Sequence, residues 1–256
     1  MNRKSLQEKF TQLKGHVGLF CENLITGECI EINANDRFKV ASIIKLPIYM
    51  CISKWVQEGK ADYYERIKVH NRDKLPINGA LTLFTDEPFV DILTLCKLMI
   101  SLSDNSATNI LIDRFGISAF NEEFQKIGIK KTQLNRYLFD EKASSCGVEN
   151  YIVLSEIGTL LKKIYEKSFV DERTSKDVED TLLLQQFNHM IPGRIGDGTV
   201  PIAHKTGEDI GIANDIGIVY AKQPFIICIA GNDTDVAEFQ EVIRNVSYEL
   251  FKQYNQ

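Results

Sequence analysis

The chain is strand-like at its two ends and helical through its middle, and this division limits its fold more than any other feature. Near the start, "SLQEKFTQLKG" carries Leu6, Phe10 and Leu13 at helical spacing and ends on Gly15. "HVGLFCENLITGECIEI" then reads as two strands around the turn "LITGE". At the far end, "VPIAHKTG", "GIANDIGIVY" and "FIICIAGN" are strand-like, and "VAEFQEVIRNVSYELFKQY" is an amphipathic helix. From Ser42 to about Asn188 the long periodic segments are helical, among them "SIIKLPIYMCISKWVQEG", "VDILTLCKLMISL", "SATNILIDRFG" and "LSEIGTLLKKIYEKS". The expected architecture is therefore α/β (α+β). A mixed, antiparallel sheet is built from both termini and flanked by helices, covering about 1–41 and 190–256, with an all-α insert at about 42–189. The 256 residues suit one such domain with a sizeable core, and no repeat or linker divides them.

Charge and cysteine usage exclude several functions. A net charge of −5 and the lack of a basic stretch argue against a nucleic-acid partner. The first twenty residues hold two early cations but no apolar run behind them, so they do not read as a signal peptide, and no segment is long and apolar enough to span a membrane. As written, the chain is expected in the cytoplasm and as a monomer; an exported protein trimmed at its start would read the same. The six cysteines contain no Cys-x-x-Cys pair and most sit in apolar runs, as buried free thiols do; Cys21 and Cys29 flank a turn and are candidates for cross-strand neighbours. The four histidines lack ligand spacing, and neither a metal nor a cofactor is expected.

Three short motifs remain. In "VASIIKLPIY", Ser42 precedes Lys45 by three residues, so on a helix both would share one face and Lys45, as a neutral amine, could take the Ser42 proton. Pro47 complicates this: it is tolerated only near a first turn, and a helix starting at Pro47 itself would loosen the Ser42–Lys45 geometry. In "SLSDNSATN", Ser103, Asp104 and Asn105 lie between two helices, where a helix cap is the simplest reading. In "AHKTGEDIG", Lys205, Thr206 and Gly207 end a strand, where a turn is the simplest reading. A Ser-x-x-Lys pair is expected about once by chance in a chain of this length, but all three elements in this order arise on the order of once in a thousand such chains. The set is that of active-site-serine β-lactamases and penicillin-binding proteins, which makes Ser42 the candidate nucleophile.

The chain resembles the class A β-lactamase family over nearly its whole length. "DRFKVASIIK", with Arg37 and Phe38, is similar to the family's approach to its nucleophile helix, and "GIANDIGIVY" to the strand after its Lys-Thr-Gly element. The separations of the three motifs also fit. The resemblance implies a β-lactamase-like fold and a small-molecule substrate, a β-lactam or related acyl compound. It implies that Ser42 is acylated, that Lys45 accepts or relays its proton and that Ser103 protonates the departing nitrogen. Lys205 would bind the substrate carboxylate and hold Ser103, helped by the Thr206 hydroxyl. Asn105 would bond the substrate's side-chain amide and Lys45, and the N–H groups of Ser42 and Glu208, the latter just past Gly207, would form the oxyanion hole.

One family element is missing. The base that hydrolyses the acyl-enzyme is a glutamate two residues after an arginine, with an asparagine four further on. In "TQLNRYLFDEKASSCGVENY", Arg136 fits the arginine, but Leu138 replaces the glutamate and Lys142 the asparagine. Asp140 and Glu141 are the nearest carboxylates, read either as substitutes for the base or as loop charges and caps. Acylation with slow turnover is one expectation. The alternatives are a D-alanyl-D-alanine peptidase-like enzyme, or a non-exported penicillin-binding or ligand-sensing protein that is acylated and not released. Elsewhere, "GRIGDG" (193–198) reads as a turn, His204 as strand packing or a bond to backbone, and Trp55 as part of a helix's apolar face.

Overall fold

The computed structural model describes residues 3–196 and 198–256. Helix α1 (Arg3–Thr11) leads to strands β1 (His16–Asn23), β2 (Cys29–Ile32) and β3 (Arg37–Lys39), then to helix α2 (Lys45–Gln57). The middle continues with β4 (Arg66–Lys68), β5 (Phe89–Asp91), α3 (Ile92–Ser101), α4 (Asn105–Phe115), α5 (Ile117–Ile127) and α6 (Glu141–Ser145). Next come β6 (Tyr151–Val153), α7 (Leu154–Tyr165), α8 (Glu172–Leu182), β7 (Ile202–Asp209), β8 (Ile212–Val219), β9 (Phe225–Asn232) and α9 (Val236–Tyr254).

The main sheet has the order β2-β1-β9-β8-β7, with every neighbouring pair antiparallel. β1 pairs β9 along its whole length, from His16 opposite Asn232 to Asn23 opposite Phe225, so the two chain ends build one sheet as expected. β9 is buried at every position, as a strand covered on both faces must be. Its alternate residues Phe225, Ile227 and Ile229 join the core under α9 with Phe239, Ile243 and Leu250. The intervening Ile226, Cys228 and Ala230 join the core shared with α7 and the middle helices. Two glycines let the layers close. A Cβ at Gly158 of α7 would stand 2.2 Å from Phe20 Cε1, and one at Gly231 of β9 would stand 2.5 Å from Phe239 Cε1.

α2 is apolar on nearly all sides and buried from Lys45 to Ser53, which makes it the central helix of the middle region. That region is not purely helical. β3 pairs β6, and β4 pairs β5, as two ribbons of three-residue strands. Strands this short give no usable alternation, and α6, with five residues, gives no helical period; hence neither is legible in the sequence. Cys21 and Cys29 are not direct neighbours: Cys21 lies opposite Ile30 and Cys29 opposite Glu22, so the one-residue offset sends their side chains to opposite faces. Trp55 packs on Phe115 and Phe120 and also donates to buried Glu123, which its reading as an apolar-face residue missed. In the "GRIGDG" stretch, Ile191–Arg194 form a 3-10 turn followed by Gly196 and Gly198 at positive φ; Asp197 lies outside the described residues.

Candidate active site

Ser42 opens a 3-10 turn (Ser42–Ile44) that runs directly into α2 at Lys45. Pro47 is the third residue of α2, inside the first turn, where backbone N–H groups have no intrahelical acceptor to lose. The helix therefore starts before the proline and the Ser42–Lys45 geometry is kept. Ser42 is half-buried, whereas Lys45 is fully buried.

The connection between α3 and α4 delivers the second group. Ser103 holds a left-handed backbone, φ 52°, costly for a non-glycine residue and typical of sites whose surroundings over-determine them. In that conformation both its carbonyl and its Oγ meet Lys45 Nζ, at 2.8 and 3.0 Å. Asp104 does cap α4, accepting from Ala107 N at 2.9 Å, so the cap reading and the site reading hold together. Its other oxygen accepts from Ala80 N and Leu81 N, binding the 74–84 loop to the motif. Gly79, at φ 117°, makes room, since a Cβ there would stand 2.2 Å from Asp104 Cγ. Asn105 accepts from Lys45 Nζ at 2.7 Å and donates to Ile77 O at 2.9 Å, which leaves one amide hydrogen for another acceptor.

The third group comes from β7, an edge strand whose alternate N–H groups have no strand partner. Lys205 Nζ donates to Ser103 Oγ at 3.1 Å and to Thr206 O at 2.7 Å. Gly207 brings the strand against the nucleophile turn: a Cβ on it would lie 2.9 Å from Ser42 N. Only a glycine allows β7 to approach that closely.

Four oxygens surround Lys45 Nζ, with Ser42 Oγ at 2.9 Å. The Ser103 carbonyl and Asn105 Oδ1 can only accept. A neutral amine gives them its two hydrogens and turns its lone pair toward the hydroxyls. Burial first, and the nearby Lys205 charge second, hold the Lys45 ammonium well below its ordinary pKa, against a smaller opposing effect of Asp104. Burial also pushes Lys205 down to about 7, with Asp215 and Glu208 pulling the other way. The cluster thus favours a deprotonated amine beside Ser42 and sets beside Ser103 a second amine that carries its charge below about pH 7.

The loop after α5 is held in place by α4. Asn109 of α4 clamps the Leu138 backbone, accepting from its N–H and donating to its carbonyl, both at 2.9 Å. Leu138 packs against the main core. Arg136 braces the loop through Glu149, at 3.0 and 2.7 Å. Asp140 caps α6 by accepting from Ala143 N, and Glu141 occupies the first turn of that helix. Lys142 is exposed.

Two side-chain pairings went unread in the sequence, and one of them corrects the reading of His204. Buried His204 meets side chains rather than backbone, with Asp215 Oδ1 at 3.2 Å and Asn188 Oδ1 at 3.0 Å. Glu208 meets His189 Nε2 at 2.8 Å and accepts from Gln240 of α9. Both pairings join residues from separate elements, and no spacing rule connects them. A separate cavity of about 380 Å³ between α2, α3 and α8 is lined by Tyr49, Ser53, Tyr63 and Thr181 and by no member of the Ser42 cluster. Among the described residues no group of three or more His, Cys, Asp or Glu side chains could hold a metal ion.

A sheet from both termini, a middle helical region, and a serine–lysine–serine–lysine cluster between them are the arrangement of the serine β-lactamase-like fold. The family model described as the beta-lactamase enzyme family matches residues 2–254, and the chain belongs to that family. It is 27% identical to the BRO-1 β-lactamase of Moraxella catarrhalis over 79% of this chain, and 26% identical to the extended-spectrum β-lactamase PER-1 of Pseudomonas aeruginosa over 81%. It spans 66% of the former's length, just under two thirds, and 71% of the latter's. Among solved structures, PBP-A is similar at 29% identity and TM-score 0.88, covering 98% of this chain and 95% of that one. A β-lactamase from Sphaerobacter thermophilus shares the fold at TM-score 0.88 and 22% identity, covering 98% and 96%.

Proposed function

We propose that this chain is a serine hydrolase that opens β-lactams, or related amides and esters, through an acyl-enzyme on Ser42, with release slower than acylation. The observation that carries the reading is the buried Lys45 amine 2.9 Å from Ser42 Oγ, set between two groups that only accept. Ser42 Oγ attacks the carbonyl carbon and its proton passes to Lys45 Nζ. The carbonyl oxygen becomes an oxyanion held by the N–H groups of Ser42 and Glu208. When the C–N bond breaks, Ser103 gives its proton to the nitrogen and is reprotonated by Lys45, which returns to its neutral state. Lys205 and the Thr206 hydroxyl hold the substrate carboxylate, and the remaining Asn105 amide hydrogen meets the substrate's side-chain amide.

The second half of the cycle needs a base to deprotonate water. Leu138 has none to offer, and Asp140 is committed to capping α6. Loss of a general base costs about 10²–10⁴ in rate. The relatives named above include β-lactamases, and a leucine-to-glutamate variant of PBP-A is described as an acyl-enzyme complex with penicillin G. Leu138 and the likeness to PBP-A also favour a second reading, a penicillin-binding or ligand-sensing protein that is acylated and does not turn over.

The test is a time course of intact mass with penicillin G, run beside a chromogenic cephalosporin assay and a Ser42→Ala control. An adduct on the unmodified protein alone that clears over many turnovers supports the hydrolase. One that persists supports the second reading, and no adduct removes β-lactams as substrates.

A further inference from the structure

Glu208 does more than follow the Lys-Thr-Gly motif. It lies two residues past Thr206 on β7, so both side chains leave the same face of the strand. On the reading above, that is the side where the substrate's carboxylate rests. The Glu208 carboxylate is also one of the two anions whose field reaches Lys205. An acid group is therefore fixed beside a site assigned to bind an acid.

Its neighbours determine the net charge there. His189 Nε2 stands 2.8 Å from Glu208 Oε1, and both side chains are part-exposed, at 39% and 38%. The backbone that carries the imidazole is held in place: Arg244 Nη1 donates to the His189 carbonyl at 3.0 Å, and the side chain of the preceding Asn188 meets His204. Charged groups face His189 from each packed element: Glu208 on β7, Asp215 on β8, and Arg244 on α9. Asp215 is engaged by His204 and the Ile191 N–H, and Arg244 is paired with Glu241. The proton on His189 is the variable. The Glu208 bond raises the imidazole's pKa, and His189 lowers that of Glu208.

We propose that the Glu208–His189 pair sets this site's preference for the charge carried beside the scissile bond: acyl donors bearing a carboxylate are accepted while His189 is protonated and disfavoured once it is neutral. With His189 cationic the pair sums to zero and the Lys205 charge is available to the substrate. With His189 neutral, the Glu208 charge stands uncompensated and opposes the incoming anion. An uncharged or cationic group at that position escapes the penalty.

The inference rests on the acylation reading, and one experiment separates their failures. The rate of Ser42 adduct formation is measured at pH 6 for a penicillin and for its methyl ester, and the acid-to-ester ratio is taken for each variant. The ester rate reports whether the fold and the nucleophile are intact. In His189→Asn the ratio should fall roughly three- to ten-fold, the effect of one partly solvated charge nearby. In Glu208→Gln it should rise by a similar factor, since His189 is then unopposed. The double variant should return to within about twofold of the unmodified protein, because each residue acts through the other. From pH 6 to pH 8 the ratio should fall further in the unmodified protein than in His189→Asn, the fall common to both being that of the Lys205 charge. If both compounds acylate Ser42 and neither single variant moves the ratio beyond about twofold, the charge-gate inference is overturned. If neither compound acylates Ser42, the acylation reading falls and this one falls with it.

Discussion

At the scale of single residues, Leu138 and Lys45 carry the sharpest consequences. The Asn109 clamp fixes the Leu138 backbone, so a longer side chain there would start from a set position. Leu138→Glu should restore a base and shorten the lifetime of the Ser42 adduct by about 10²-fold, toward the effect of a general base. Mass spectra taken during washout of free penicillin check this; an unchanged lifetime would show that the base must enter from elsewhere. Lys45 sets the direction of the pH dependence. Its pKa is depressed, so acylation requires the neutral amine and should fall as pH drops through that lowered value. Lys205 loses its charge as pH rises through about 7, so an anionic penicillin should lose affinity on the alkaline side while its ester does not. Rates for the acid and ester from pH 5 to 9 would show a bell for the first and a rising plateau for the second.

At the scale of elements, the site is a meeting of two chain connections and an edge strand, with Lys205, Thr206 and Gly207 inside β7 rather than at the strand end and turn expected, and their legibility in the sequence differs. Ser42, Ser103 and Lys205 were readable because each lies in a short motif whose spacing is fixed by chemistry. Pro47 looked like an obstacle only because the sequence does not show that a 3-10 turn precedes α2. The 74–84 loop was unreadable: its tie to Asp104 runs through backbone N–H groups, which carry no residue signature. The His189–Glu208 contact was equally hidden, because it depends on how β7 and the preceding segment pack. Gly207 is where the elements press closest. Gly207→Ala puts a methyl carbon 2.9 Å from Ser42 N and 3.1 Å from Ile43 N, so β7 or the nucleophile turn must move. Acylation should drop at least about tenfold, since small misplacements of a nucleophile are costly. The circular dichroism spectrum and melting temperature should change little, because β7 is an edge strand; a large loss of stability would mean that this contact organises the fold and not only the site.

At the scale of the whole molecule, the reactive cluster depends on layers it does not touch. β7 is held by β8, β8 by β9, and β9 is covered by α7 on one face and α9 on the other. The layered plan was readable from the strand-like termini and the helical middle, but the closeness of the layers was not. It depends on single missing Cβ atoms, at Gly158 against Phe20 and at Gly231 against Phe239. Gly158 makes the argument testable because two effects oppose each other there. Replacing a helical glycine by alanine favours the helix by up to about 1 kcal/mol. Against that, the new methyl would sit 2.2 Å from a buried aromatic carbon, and overpacking a core of this kind costs about 1–3 kcal/mol. The steric effect wins because Phe20 lies between the sheet and α7 and cannot withdraw to solvent. Gly158→Ala should therefore lower the melting temperature by a few degrees. Adding Phe20→Leu, which removes the opposing ring carbons, should make the Gly158→Ala change less harmful than it is alone, as expected for residues in direct contact. Calorimetry on the four proteins of this cycle gives the coupling. If Gly158→Ala is neutral or stabilising in both backgrounds, α7 has slack against the sheet, and the close packing does not hold the layer that positions β7.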